Sequence, residues 1–278
     1  MTQHEVVITA AGARAVRDCE ADEVMHPVAA PLHEAEQLYV GPSALRTRLE
    51  SEPAAPLVLL DAGLGAGSNA IAAFHAAHAH AAASARPLEI ISIDRTLGAL
   101  ALALQPDHAP HFGFEGTAAH AATTLLANHA YRDARVHWRL RLGDLLEALT
   151  LEPEVSVDIV FWDLYPARLN AALWTVRAFT ELRRVCRAGA TVHTYSGATA
   201  TRLAMLLAGF AVGYGPGAGG VKQKNSTIGA VQHTSLARPL DRRWLENTQG
   251  ARAAWPADAS SDAITHLQHL PQFQTARF

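Results

Sequence analysis

The chain has 278 residues, 49% of them hydrophobic, and a formal net charge of −3. That is enough apolar mass for a large core, in one big domain or one domain with appendages, and the near-neutral charge counts against a large phosphate footprint while leaving room for a local basic face. Cys19 and Cys186 stand too far apart to suggest a disulfide framework or a C-x-x-C site, no apolar run approaches about 20 residues, and the start MTQHEVVITA lacks the blocks of a signal peptide, so a cytoplasmic protein that does not span a membrane is expected.

Taken in order, Glu5–Ile8 and Arg14–Arg17 flank AAGA and predict a small β-hairpin. Pro27 and Pro31 mark a loop, and HEAEQLY from His33 opens a helix, or helix plus strand, that closes before Pro53 and Pro56. Leu57–Leu60 has the length and branching of a buried parallel strand, and it breaks into Asp61-x-Gly63-x-Gly65-x-Gly67 before an alanine-rich helical pattern. Strand, glycine loop and helix form a nucleotide-cofactor turn: the glycines admit positive φ and close approach, and free N–H groups at the helix start face the ligand. Ser68 or Asn69 is expected to cap that helix. Alone the loop is ambiguous, because residues 65–70 also fit the G-x-G-x-x-A dinucleotide form.

Leu88–Asp94 is a second buried strand ending in an acid placed to accept bonds from ribose hydroxyls. Residues 105–135 read as a His- and Ala-rich insertion over the sheet edge, with a helix near Thr117–His129. Val136–Leu142 is a third strand before Gly143 and Asp144, and Val155–Trp162 is a fourth, delivering Asp163-Leu164-Tyr165-Pro166 at its carboxyl end. An amphipathic helix over Ala171–Cys186 is expected to stop at Gly189, followed by a strand over Ala190–Tyr195, a helix over Thr199–Ala208 stopped by Gly209, and a last strand over Ile228–Gln232. The tail from Arg238 has no clear period. Alternation of this kind implies a parallel α/β sheet.

This order of features resembles the class I S-adenosylmethionine-dependent methyltransferases. More narrowly, DAGLGAGSN, SID, the Gly143-Asp144 pair, FWDLYPARLNAALWT and AGATVHTYSGATATRLAMLLAGF resemble the methyltransferase part of the MnmC family, the tRNA 5-methylaminomethyl-2-thiouridine enzymes. That family carries G-x-G-x-G-x-N, then D-G-F-x-P with a nearby Trp, then G-G-x-x-x-T-[YF] and a helix reaching A-G-F; HEAEQLYV resembles its E-E-x-x-x-V-F segment. The resemblance spans roughly residues 26–230.

It implies a Rossmann-like α/β fold, a mostly parallel seven-stranded sheet with helices on both faces and a small N-terminal lobe. The expected division is a hairpin and helical lobe over 1–56, a cofactor-binding domain over 57–237 and a tail over 238–278. It also implies S-adenosyl-L-methionine as cofactor and the aminomethyl group of a modified wobble uridine in tRNA as methyl acceptor. Two departures stand out. Leu164 replaces the family's Gly and Tyr165 its Phe, which reshapes the acceptor pocket, and 278 residues leave no room for the flavin oxidase domain of the bifunctional enzymes, so a stand-alone methyltransferase is expected.

Methyl transfer from a sulfonium to an amine needs alignment and a neutral nitrogen. Asp163 is expected to orient the amine, with base character, while Leu164 or Tyr165 supplies a carbonyl or an aromatic wall to the cationic methyl group. Asp61, Gly63, Gly65, Gly67, Asn69, Asp94, Asp144 and Asp163 are the expected cofactor residues, Asp144 reaching the adenine amino group by resemblance. Glu34, Tyr39 and Pro166 would line the acceptor side, and Tyr165 or Tyr195 would stack a splayed base.

His75, His78 and His80 do not share one helix face and have no cysteine or carboxylate at ligand spacing, so no metal is expected. Arginines 132, 135, 139 and 141, arginines 183, 184 and 187, and Lys222 with Lys224 are either a grip for an anticodon stem or ordinary solvated charges. A methyltransferase for a small-molecule or peptide amine is the alternative on the same scaffold. A silent cofactor-binding protein is disfavoured by the joint presence of the acids and glycines, and a dehydrogenase by the lack of a hydride-transfer constellation.

Overall fold

The computed structural model describes residues 3–26, 30–51, 55–79, 86–217, 225–250, 255–260 and 262–274. Pro27, Pro53, His80, Lys222 and Lys224 lie outside these residues. Eleven strands are described: β1 (His4–Ile8), β2 (Arg14–Asp18), β3 (Glu23–Val24), β4 (Leu57–Ala62), β5 (Leu88–Asp94), β6 (Ala130–Arg132), β7 (Val136–Leu142), β8 (Val157–Trp162), β9 (Cys186–Thr194), β10 (Ala211–Tyr214) and β11 (Thr227–Ala230). The α-helices are α1 (Pro31–Ala35), α2 (Leu45–Glu50), α3 (Ser68–His78), α4 (Gly98–Ala103), α5 (Gly116–Asn128), α6 (Leu145–Leu151), α7 (Val176–Val185), α8 (Thr199–Leu207), α9 (Arg242–Gly250), α10 (Ala263–Gln268) and α11 (Pro271–Gln274).

The main sheet has the order β10-β11-β9-β8-β4-β5-β7-β6. Its centre, from β9 to β7, is parallel, and β6, β11 and β10 join antiparallel to their neighbours. All six residues of β4 are buried, as a strand covered on both faces requires. Successive residues face opposite sides: Leu57 and Leu59 enter one apolar cluster with α3, α5 and the N-terminal segment, whereas Val58, Leu60 and Ala62 enter a second with α6, α7 and α8.

The sheet has eight strands where seven were expected. The extra one is β6, whose three residues are too few for an alternation to show. It folds back on β7 through a turn in which the Asp133 carboxylate accepts the amide hydrogens of Arg135 and Val136, each at 2.7 Å. Strand β10, also unforeseen, pairs with β11.

Gly189 does not end a helix. The chain leaves α7 at Val185 and turns at once into β9, where Val157 pairs with Cys186 but Ile159 pairs with Thr191, so Gly189 lies in a β9 irregularity. Nor do Ser68 and Asn69 cap α3; Gly67, at φ +87°, stands before it, and both side chains are buried in the first turn.

The hairpin β1–β2 forms as expected, and β3 extends it. From α1 the chain widens into a π-type turn over Glu36–Val40, closed by the Gly41 amide on the Glu36 carbonyl at 2.9 Å. The tail packs back: Leu240, Leu245, Leu267 and Phe273 join the second cluster, and the Gln272 side chain pairs with both backbone groups of Val212.

Candidate active site

The carboxyl ends of β4, β5, β7 and β8 are stitched together by backbone bonds: Gly63 donates to Ile93, Gly143 to Asp94 and Asp163 to Ala62. Above them opens a cavity of about 600 Å³, within the usual range for small-molecule sites of about 300–1,000 Å³. Gly63, Gly65, Asp94, Arg95 and Thr96 line its β5 side, and Asp163, Tyr165, Pro166 and Tyr195 its β8–β9 side. The N-terminal segment closes it with Asp18, Glu23, Met25, His26 and Glu34.

The glycine loop is shaped by need. Gly63, Gly65 and Gly67 all have positive φ, and a Cβ on Gly63 would fall 2.3 Å from the Asp163 carbonyl oxygen. Only a residue without a side chain lets the two loops touch. Asp94 holds the loop in turn, its Oδ2 accepting from the Gly65 amide at 2.8 Å.

Asp163 is oriented by Asn69, whose Nδ2 donates to Oδ2 at 2.7 Å. His26 and Glu34, the latter on α1, approach the same point. The His26 Nε2 is 3.6 Å from Asp163 Oδ2 and its Nδ1 is 3.5 Å from Glu34 Oε1. Glu34 Oε2 is buried with no hydrogen-bond partner. Tyr195 donates to the Leu164 carbonyl at 2.9 Å, and Tyr165 donates to Asp18 at 2.8 Å, tying the acceptor loop to β2. Arg168 pairs with Glu23 across the same gap. Trp174 donates to the Tyr165 carbonyl and packs edge-on to Tyr195, so it braces the loop from the core side.

Five expected residues, Asp61, Gly67, Asn69, Tyr39 and Asp144, are near the cavity without lining it. Asp61 is 1% exposed behind the glycine loop, accepting from Ser92 Oγ at 2.7 Å, and burial pushes its carboxyl up to about 7. Tyr39 is fully buried with its ring 5.3 Å from Phe161; burial first, then the Asp163 carboxylate, drives its phenol well above the usual value. Asp144 caps α6 through the amides of Leu146 and Glu147 and pairs with Arg95 at 2.6 Å, while its neighbours Gly143 and Leu145 line the cavity. The Arg95 bond, ahead of the cap, holds the Asp144 carboxyl below the ordinary range.

His26 was not singled out from the sequence. It stands at the very start of the resemblance, in the loop before α1, and a positive φ of 55° at a non-glycine residue leaves no mark in composition or period.

Four of the clustered arginines are spent on the fold. Arg139 pairs with Glu89, Arg141 with Glu152, and Arg187 with Asp158, while Arg184 donates to the carbonyls of Leu149 and Glu152. His75 contacts the Gly113 carbonyl and His78 pairs with Asp133. Among the described residues no group of three or more His, Cys, Asp or Glu is placed to hold a metal ion.

Comparison with known proteins meets this geometry. A family model described as S-adenosyl-L-methionine-dependent methyltransferase matches residues 117–232. Over 197 residues the chain is 31% identical to the tRNA 5-methylaminomethyl-2-thiouridine biosynthesis bifunctional protein MnmC of Ectopseudomonas mendocina, covering 65% of this chain and 28% of that protein. The protein of that name from Chromobacterium violaceum is 27% identical over 274 residues, covering 89% and 40%. The fold matches the crystal structure of MNMC2 from Aquifex aeolicus with a TM-score of 0.72 at 21% identity, over 96% of this chain and 85% of that one.

The chain carries an MnmC-like methyltransferase domain. It is an S-adenosyl-L-methionine-dependent enzyme, and it spans 28–40% of the length of the curated relatives it matches. The residues present fit that cofactor: the methyltransferase domain offers a glycine cradle that a Cβ would fill, an acid at the end of β5, and a cavity wall in which Asp18, Glu23, Glu34, Asp94 and Asp163 outnumber Arg95 and Arg168. No described helix is long and apolar enough to cross a membrane.

Proposed function

We propose that this domain N-methylates the aminomethyl group of a modified wobble uridine in tRNA, in the cytoplasm, with S-adenosyl-L-methionine held over Gly63, Gly65 and Gly67. The observation that carries this reading is Asp163, its carboxylate fixed by Asn69 and its backbone carbonyl packed against Gly63 at the point where the cofactor loop meets the acceptor side. Asp94 is assigned to the ribose. Asp144 remains the candidate for the adenine amino group. Asp61 and Asn69 support the loop and Asp163 from behind. When bound, S-adenosyl-L-methionine supplies an electrophilic methyl group on a sulfonium.

What the chain contributes is placement and charge. Asp163 accepts a hydrogen bond from the acceptor nitrogen and so aims its lone pair. Tyr195 and Trp174 fix the loop that carries Leu164 and Tyr165, whose backbone and ring form the wall of the transfer site. The excess of carboxylates concentrates cationic ligands, which suits a sulfonium donor and an amine acceptor. Glu34 and Pro166 stand on the acceptor wall, and Tyr165 and Tyr195 are the stacking candidates for a splayed uridine.

The test is calorimetric titration with S-adenosyl-L-methionine, then incubation of labelled cofactor with tRNA from a strain lacking this methylation. Binding with label entering tRNA is expected. Binding with no label in tRNA overturns the tRNA reading in favour of a small-molecule or peptide amine. One observation favours that second reading: arginines 139, 141, 184 and 187 are engaged within the fold instead of forming a free basic face.

A further inference from the structure

His26 stands on the N-terminal wall of the cavity. Its backbone sits at φ +55°, the left-handed region that a non-glycine residue enters only at a cost. Such strain persists where the surroundings over-determine it, and it gathers at functional sites. The imidazole is 12% exposed, lines the cavity, and lies 3.5 Å from Glu34 Oε1 and 3.6 Å from Asp163 Oδ2. Both are ion-pair distances, and the Glu34 contact stands at the outer limit of a hydrogen bond. The ring is therefore bracketed by two carboxylates, and Glu34 Oε2 beside it has no hydrogen-bond partner.

The chemistry leaves a vacancy for such a group. An aliphatic amine enters near neutral pH as ammonium, and carboxylates around it favour that charged form. A carboxylate with an ordinary pKa of about 4 is a weak base for it, whereas a histidine at about 6.5 is better matched to the working pH. We propose that His26 is the proton acceptor of the methyl-transfer site, with Glu34 and Asp163 as the residues that position its ring. This assignment rests on the amine-acceptor reading above.

The step balances. The acceptor ammonium gives one proton to the neutral imidazole, leaving a free amine hydrogen-bonded to Asp163. A bond forms from the nitrogen lone pair to the methyl carbon as the carbon–sulfur bond breaks, and that electron pair stays on sulfur as a neutral thioether. The product leaves as a methylated ammonium, and the imidazolium returns its proton to water when the cavity opens.

The charged groups facing the ring come from each element around it: Glu34 from α1, Asp163 from the loop after β8, and Asp61 from β4 behind them. On its own segment, Asp22 is bonded to Arg17 and Glu23 to Arg168. Burial alone would lower the imidazole pKa, but the Glu34, Asp163 and Asp61 carboxylates outweigh it and raise His26 above an ordinary histidine. A raised value makes it a stronger base.

The first readout needs no turnover. Affinities for S-adenosyl-L-methionine, a sulfonium cation, and for S-adenosylhomocysteine, its neutral thioether, are measured from about pH 6 to about pH 9. Protonated His26 repels the sulfonium, so the preference for the cation is expected to fall at least about fivefold on acidification in the wild type and to stay flat in His26→Gln. The imidazole signal of His26 in the wild-type protein, followed by nitrogen NMR, is expected to titrate lower with the sulfonium bound than with the thioether; this holds even where the variant fails to fold.

In turnover, His26→Gln is expected to lose the histidine limb of the kcat/KM profile. A preference that ignores pH in the wild type, or varies equally in the variant, overturns the assignment. Amine methylation with an unchanged pH profile in His26→Gln overturns it alone, whereas a wild-type enzyme that methylates no amine overturns the amine reading and this assignment together.

Discussion

Asn69, the second residue of α3, donates a 2.7 Å hydrogen bond to the carboxylate of Asp163, which stands 94 residues later at the end of β8. The bond links the helix of the cofactor loop to the acceptor side, so the two halves of the reaction share one rigid contact. Asn69→Ala removes the donor and leaves Asp163 free to turn. A misplacement of about 1 Å is enough to lower turnover on the order of 100-fold. We expect that fall in kcat, with cofactor affinity changed by no more than a few fold; an unchanged kcat would dismiss Asn69 as the residue that aims Asp163.

The contact between Gly63 and Asp163 makes a sharper test. Gly63→Ala would place a methyl carbon 2.3 Å from a backbone oxygen, at φ +89°. Neither loop can yield without opening the cradle, so calorimetric binding of S-adenosyl-L-methionine should be lost. Gly12→Ala, also at positive φ but with nothing within 4 Å, serves as control and should cost only about 1 kcal/mol of stability. Equal effects at the two sites would show that strain alone, not the close approach, restricts Gly63.

Tyr165 ties its loop to the N-terminal hairpin through Asp18. Tyr165→Phe removes that bond and keeps the ring, at an expected cost of about 1 kcal/mol. The loss should appear as faster amide exchange in β1 to β3. Exchange that stays as slow as in the wild type would mean that the Arg168–Glu23 pair, the Arg14 bond to the Asp107 carbonyl and the packing of Val16 hold the hairpin without it.

Asp61 gives the stability a pH dependence of known sign. Burial raises its folded carboxyl to about 7, above the unfolded value of about 3.9. Between those values the folded chain binds a proton that the unfolded chain has released, so this contribution is lost as pH rises through the window and is level above it. Thermal unfolding of the cofactor-free protein should therefore occur at lower temperature near neutral pH than near about pH 5. In Asp61→Asn the decline should be shallower, and an identical slope in both proteins would place the titration elsewhere.

Asp144 separates cap from ligand. Asp144→Asn keeps an oxygen to accept the Leu146 amide but gives up the charge that pairs with Arg95. As asparagine caps helices about as well as aspartate, unfolding should change little. A drop in cofactor affinity of about tenfold or more, some 1.4 kcal/mol, would mark Asp144 as a cofactor contact. Unchanged affinity would leave it as a cap and an ion-pair partner only.

Local pattern carried the fold class a long way. The buried runs at Leu57, Leu88 and Val157, the glycines at 63, 65 and 67, and the acids at 94 and 163 are features of short windows, where hydrophobic period and backbone permissiveness act within a few residues. The three-residue strand β6 and the short tail helices carry no such period. They form because they complete a sheet edge and an apolar face, which are properties of the assembled core.

The site divides in the same way. The sequence by itself determined that a glycine cradle would face an acid at the end of β5 and another at the end of β8. Only the tertiary structure decided that His26 and Glu34, more than 100 residues before Asp163, would meet it across the cavity, that Asp61 and Tyr39 would stand behind the wall, and that Arg139, Arg141 and Arg187 would be neutralised by Glu89, Glu152 and Asp158. The reason is physical: a φ of +55° at His26 and an ion pair between distant segments are set by how the lobe closes on the sheet, and neither leaves a periodic or compositional trace along the chain.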